Sequence, residues 1–250
     1  MQNKHLHSSK QMRKIFFIAA LVITVNSTLA QVKLSKIKET LLNSQGQLST
    51  AEVSAGLKEA LEKGASKGSD IVSQVDGYYK NAEIKIPFPP EIKNVETRLR
   101  QVGMGSEVDK FVLALNRAAE DAAKEAKPVF VSAIKQITIQ DAFAILQGEP
   151  DAATQYLKRT TSDQLVIKFK PIVQNSLNKV NATHYYQNLI TSYNKIPLVK
   201  KLNPDLDAYA TEKAMDGLFL MVAKEEKSIR QEPLARTSDL LRKVFGQQKL

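Results

Sequence analysis

The stretch Ser49–Val75, STAEVSAGLKEALEKGASKGSDIVSQV, decides the class of the fold. Val53, Leu57, Leu61, Gly64, Gly68, Ile71 and Val75 recur at intervals of three and four, which places them on one face of an α-helix. Ser49 and Glu52 stand at capping-box spacing, where the hydroxyl accepts from the third backbone N–H and the carboxylate reaches back. A helix in water draws most of its stability from packing such a stripe against a neighbour. Gly64 and Gly68 predict that another backbone comes close, at an intrinsic cost of about 1 kcal/mol each relative to alanine.

The same period runs through most of the chain. One exception is AEIKIPFPPEI, Ala82–Ile92, where Pro87, Pro89 and Pro90 forbid a helix interior. Residues 83–90 are expected to form a short extended, proline-rich tether with at most a single bridge of sheet. Helices are expected from Pro90 to about Gly103, from Ser106 to Pro128 and, kinked or restarted, through PVFVSAIKQI. In TIQDAFAILQG, Thr138 is the N-cap, Asp141 its partner and Gly148 the C-terminal cap. Pro150, Pro171, Pro197 and Pro204 mark further starts or kinks. PDAATQYLKRT and SDQLVIKFKPIVQNSLNKV read as separate helices, followed by THYYQNLITSYNKI, the long Asp205–Gln231 helix and a short last one closing at Gly246. The class is all-α, a single compact multi-helix bundle.

The first thirty residues stand apart. Lys4, Lys10, Arg13 and Lys14 precede the apolar run IFFIAALVITV and the small-residue end NSTLA, with no acidic residue among them. That is the layout of a secretory signal peptide, with Met12 opening an equally well-proportioned leader. Eleven apolar residues are too few to cross a ~30 Å hydrocarbon core as a helix. Cleavage is expected near Ala30–Gln31, leaving residues 31–48 as a lead-in and 49–250 as the helical domain, exported to the periplasm. Formal net charge then falls from +10 to +6, since four of the 36 Lys and Arg leave with the leader and no acid does. With no cysteine, stability rests on burial alone.

The residue types constrain chemistry further. Beyond the leader the single histidine is His184, and no cysteine or nucleophile elbow accompanies it, so a nucleophile–base pair and a histidine-rich zinc cage are not expected. In NPDLDAYATEKA, the sixth and twelfth positions of a calcium loop are Ala208 and Ala214 instead of Gly and Glu; Asp205 and Asp207 read instead as caps on a helix N-terminus. The glycines are scattered, so no phosphate loop forms. The lysines of KFKP and KIPLVKK read as solvated faces and not as a nucleic-acid surface. No cofactor is expected.

Two places remain as candidate binding positions. On Ala214–Pro233, AMDGLFLMVAKEEKSIRQEP, Glu225 falls inside the face of Leu218, Met221 and Ile229, so it is expected to be partly buried and paired with a side chain of another helix. Glu226 lies off that face with Arg230 one turn on, which predicts an exposed pair contributing about 0.2–0.5 kcal/mol. On the helix after Ser106, Asn116 sits at the margin of the core face and Arg117 points nearly opposite. Arg117 is then either solvated or held by a second layer of structure.

LNRAAE (Leu115–Glu120), DAFAILQG, AATQYLKRTT, the tether IKIPFPPEIKNVETRLRQVG and the C-terminal run from Pro197 to Gly246 occur in one order. In that arrangement the chain resembles the bacterial exported family known as domain of unknown function 4197. The resemblance implies an all-helical envelope domain and no particular activity; Asn116, Arg117, Glu120, Asp141, Asp216, Glu225, Glu226 and Arg230 match its pattern. The expected function is a non-catalytic binding or interaction module for a ligand or envelope protein. The alternatives are a carboxylate-dependent enzyme using Glu225 or Glu226 with Arg117 or Arg230, and a protein in weak contact with an anionic membrane surface.

Overall fold

The structure is a computed structural model and describes residues 48–246, apart from 196 and 199. The leader and nearly all of the lead-in lie outside the described residues. Among the described residues the regular structure is all helical: α1 (Thr50–Ser73), α2 (Lys93–Gln101), α3 (Gly105–Ala123), α4 (Ala126–Lys135), α5 (Ile139–Gln147), α6 (Ala152–Asn178), α7 (Ala182–Tyr193), α8 (Leu206–Gln231) and α9 (Asp239–Gly246). No single one of them is long and apolar enough to cross a membrane.

The centre of the bundle is α8, packed on by α1, α3 and α6. Its buried residues include Ala210, Ala214, Leu218, Met221, Val222 and Ile229, and also Gly217 and Phe219, a band too wide for one neighbour. Phe219 meets Phe130 of α4 with ring centres 5.7 Å apart. The stripe of α1 is shorter than its sequence suggests. The helix ends at Ser73, Val75 is exposed and Val72 is buried in its place.

Two expected helices are one. In α6 the buried positions are Ala153, Leu157, Thr161, Leu165, Phe169, Val173 and Leu177, with Thr154 beside the first of them. A strict four-residue repeat advances by about 40° per step around a helix of 3.6 residues per turn, so the stripe winds round α6 and meets α8, α3 and α4 in turn. Pro171 sits inside this helix on its exposed side, where water can take over the carbonyl that the missing N–H leaves free. Pro128, by contrast, falls in the first turn of α4, so the helix restarts there after a break at Lys124–Glu125.

The glycines separate close backbone approach from ordinary packing. A Cβ on Gly68 would lie 3.1 Å from the backbone of Val222, whereas one on Gly64 would first meet the end of Ile229 at 3.4 Å. On α8, a Cβ on Gly217 would lie 2.5 Å from the ring of Tyr78. That ring cannot retreat: Tyr78 is fully buried and its hydroxyl donates to the carbonyl of Ala214. Gly217→Ala therefore gains about 1 kcal/mol of helix propensity and loses about 1–3 kcal/mol or more to overpacking. It is expected to destabilise, while Gly64→Ala is expected to be neutral or stabilising. Urea melts of the two variants check this; a more stable Gly217→Ala protein would show that Tyr78 has room to move.

Candidate functional site

The sequence-predicted residues fall into two separate clusters, each built on a long helix. The first is on α3. Asn116 is fully buried, and its amide makes both hydrogen bonds of a neighbouring strand with one residue of the tether. Its Oδ1 accepts from the N–H of Ile86 at 2.8 Å, and its Nδ2 donates to the carbonyls of Ile86 at 2.8 Å and Val112 at 2.7 Å. The expected extended span is shorter than 83–90: Ala82–Ile84 form a turn closed on Asn81 and Pro90 opens a short 3-10 turn. In the non-helical piece between them a side chain supplies the pairing that a sheet would have given.

One turn on, Glu120 accepts from the consecutive N–H groups of Tyr78 and Tyr79, each at 3.1 Å. Its second oxygen takes the Arg117 guanidinium, which also donates to Asp76 at 2.6 Å. Arg117 is thus held by a second layer, the turn that follows α1. Asp76 stands in the left-handed region at φ 70°, and the Arg117 and Lys80 groups beside it hold its carboxyl below its usual range.

The second cluster corrects an expectation. Glu225 behaves as its position predicts: half-buried, it pairs with Lys67 of α1 at 2.8 Å. Glu226 is not exposed. Its side chain is 6% accessible and that of Arg230 10%. Glu226 accepts from the N–H of Ala153 at 3.0 Å and from the N–H and hydroxyl of Thr154, both at 2.8 Å. These are first-turn N–H groups of α6, orphaned in any helix, and Asp151 at the N-cap makes no side-chain bond to them. A carboxylate from α8 caps α6 from outside and faces its positive dipole. Arg230 completes the arrangement by donating to the carbonyls of Ile145 at 2.9 Å and Leu146 at 3.4 Å, at the C-terminal end of α5. One i,i+4 ion pair therefore clamps both ends of the α5–α6 connection.

The two clusters follow one pattern: a Glu–Arg pair on a long helix, with the carboxylate taking two consecutive backbone donors from another segment. Neither leaves the carboxylate of its Glu–Arg pair, Glu120 or Glu226, open to a substrate. Arg117 touches neither Glu225 nor Glu226, and the cavity beside Glu226 holds about 20 Å³, room for about one water molecule. Among the other pattern positions, Asp141 forms the expected capping box with Thr138, and Asp216 pairs with Lys213 on the surface. In the NPDLDAYATEKA stretch, Asp205 caps the N–H of Ala208 at 2.9 Å. Buried Asp207 accepts from Thr183 at 2.9 Å, and desolvation pushes its carboxyl above the usual range. Among the described residues no three His, Asp or Glu side chains converge as a metal cage.

A much roomier concavity lies elsewhere, between α3 and the corner where α6 turns into α7. It measures about 840 Å³, within the ~300–1,000 Å³ of small-molecule sites. Met104, Phe111, Ala114, Val180 and Tyr185 supply apolar walls, with Lys110, Arg117 and Lys179 among the polar groups. Of the sequence-predicted residues only Arg117 reaches it. No local motif marks the groove, because its walls come from segments more than fifty residues apart in sequence.

Comparison with known proteins finds no match among curated proteins and none among solved structures. Residues 47–246 match the family described as "Protein of unknown function (DUF4197)", a span that takes in both Glu–Arg clamps, the tether and the groove. This chain is a member of the DUF4197 family.

Proposed function

We propose that the protein is an exported, non-catalytic binding module of the bacterial envelope, and that the groove along α3 receives the apolar part of its ligand. The observation that carries this reading is the groove itself, with its volume and with an aromatic and aliphatic lining that stays open to solvent. Such surface is costly to leave wet and marks binding sites more often than chance. Support for the absence of catalysis comes from the clamps: the carboxylates of Glu120 and Glu226 already accept from backbone donors and arginine. A general acid or base must instead reach its substrate. Export rests on the basic, apolar and small-residue segments that open the chain.

The test uses dansyl-undecanoate, an amphiphile that becomes fluorescent in apolar surroundings. Saturable enhancement is expected with the wild-type protein, and its loss with Ala114→Trp, which fills the groove from a half-exposed position on α3. Thermal melts should stay near wild type. Absence of saturable binding, or equal binding by Ala114→Trp, would overturn the groove as the ligand site.

A further inference from the structure

We infer that the corner formed by the end of α6, helix α7 and the loop to α8 docks the protein on an anionic phospholipid surface. This goes beyond the groove reading; Lys179, Val180 and Tyr185 line both the groove and this corner, so the inference is tested at Lys195, Leu198 and Lys200, which lie outside the groove. Between Asp163 and Asp205 the chain has no acidic residue, while it carries Lys168, Lys170, Lys179, Lys195, Lys200 and Lys201. The whole chain is 25% charged with both signs mixed, so a run of this length with one sign only is unusual along the chain. In space Glu125, Asp121, Asp205 and Asp207 reach the end of α6 and the start of α7, which leaves the loop after α7 as the most basic part of the run. Two of the six lysines are neutralised from other elements, Lys168 by Glu125 and Lys170 by Asp205. Lys201 donates to the carbonyl of Asn194. Lys179, Lys195 and Lys200 are exposed and form no ion pair among the described residues.

Apolar side chains stand among these cations. Helix α7 buries Ala182, Tyr186 and Ile190 and leaves Tyr185 and Leu189, one turn apart, in solvent, with Val180 exposed just before it. The loop that follows is closed by one side chain. Asn194 accepts from the N–H of Leu202 and donates to its carbonyl, both at 2.8 Å, the same two-handed bond that Asn116 makes with Ile86. At the tip of that closed loop Leu198 is 106% exposed, with φ at 64°. The left-handed region is unfavourable for a leucine and is retained where surrounding structure imposes it. A pinned loop that turns an apolar side chain fully outward between lysines has the composition of an interfacial contact. The leucine and tyrosine enter the headgroup region and the lysines stay at the phosphates.

The charge selects the occupant. Lys195 and Lys200 flank the fully exposed Leu198 without an acidic partner among the described residues, a combination of cation and apolar side chain that suits an anionic interface. An anionic bilayer attracts each nearby lysine.

Co-sedimentation with vesicles tests the inference. Vesicles of equal parts phosphatidylglycerol and phosphatidylcholine are compared with phosphatidylcholine alone, at low and high salt. Wild type and variants share one N-terminus, so differences between them report on this corner. Wild type is expected to prefer the anionic vesicles and to lose that preference as salt screens the surface. Lys195→Glu with Lys200→Glu should lower the partition about tenfold or more, since one lysine near such a surface contributes roughly fivefold. Leu198→Ser should lower it severalfold with its salt dependence unchanged. All three positions are exposed, so melts should not move. Ala114→Trp should sediment as wild type does, which separates this result from the fate of the groove. Partition that ignores vesicle charge, or variants that sediment like wild type, would overturn the inference and leave the corner to a protein partner.

Discussion

Glu226→Ala is expected to lower the stability of the fold by about 3–5 kcal/mol, the range for breaking a buried pair from one side. The deletion strands the N–H groups of Ala153 and Thr154 at the start of α6, the hydroxyl of Thr154, and the nearly buried guanidinium of Arg230. Arg230 keeps its bonds to the carbonyls of Ile145 and Leu146 and so cannot swing out without releasing the end of α5 as well. Glu225→Ala, two-thirds of whose ion pair is already wet on the lysine side, is expected to cost about 1 kcal/mol or less, as partly exposed pairs do. Glu226→Gln, which keeps one acceptor oxygen but no charge for Arg230, should fall between the two. Urea melts of the three variants give the order directly, and an unchanged dependence on urea concentration shows that the same surface unfolds in each. Equal losses for Glu225→Ala and Glu226→Ala would mean that α6 is capped by other means.

Asn116→Ala is expected to cost about 2–5 kcal/mol, because it leaves two buried backbone groups of Ile86 without a partner at about 1–3 kcal/mol each. The carbonyl of Val112 adds little, since it also belongs to the ladder of α3. Asn116→Asp keeps the bond to the N–H of Ile86 but sets an oxygen against its carbonyl, so it should be no milder. The consequence is local as well as global. Lys85 is exposed, next to the pinned Ile86, and trypsin cleavage after Lys85 should be faster in either variant than in wild type, under conditions where the rest of the fold persists. Wild-type cleavage rates would assign the hold on the tether to Ile84, Ile86 and Phe88, which bury their side chains beside it.

Both predictions concern residues that the sequence marked and whose surroundings it did not show. Glu225 and Glu226 differ by one position on α8. A wheel drawn for one apolar face puts the first inside and the second outside. In the structure α8 is enclosed by α1, α3 and α6, so the outer side of that wheel is also interior, and the start of α6 lies against it. The only sequence hint was Arg230 one turn beyond Glu226, a spacing shared with countless solvated pairs. Asn116 was placed at the edge of the core, whereas it lies wholly inside; its role needs the tether, thirty residues earlier in the chain.

Features that one or two turns of helix can decide are legible along the chain. The helical class follows from a spacing of three and four, a kink or restart near Pro128 from that proline, the start of α5 from the Thr138–Asp141 box, and the non-helical tether from its prolines. Each of these is settled between residues a few positions apart, so the local chain carries the whole answer. The tertiary structure alone decided which polar groups are buried, that two helix signals join into α6, and that a groove opens between α3 and the α6–α7 corner. The reason is physical. A buried carboxylate or amide is stable only where unpaired backbone donors and acceptors from another segment meet it, and a groove exists only as the space between elements. Neither has any local counterpart along the chain.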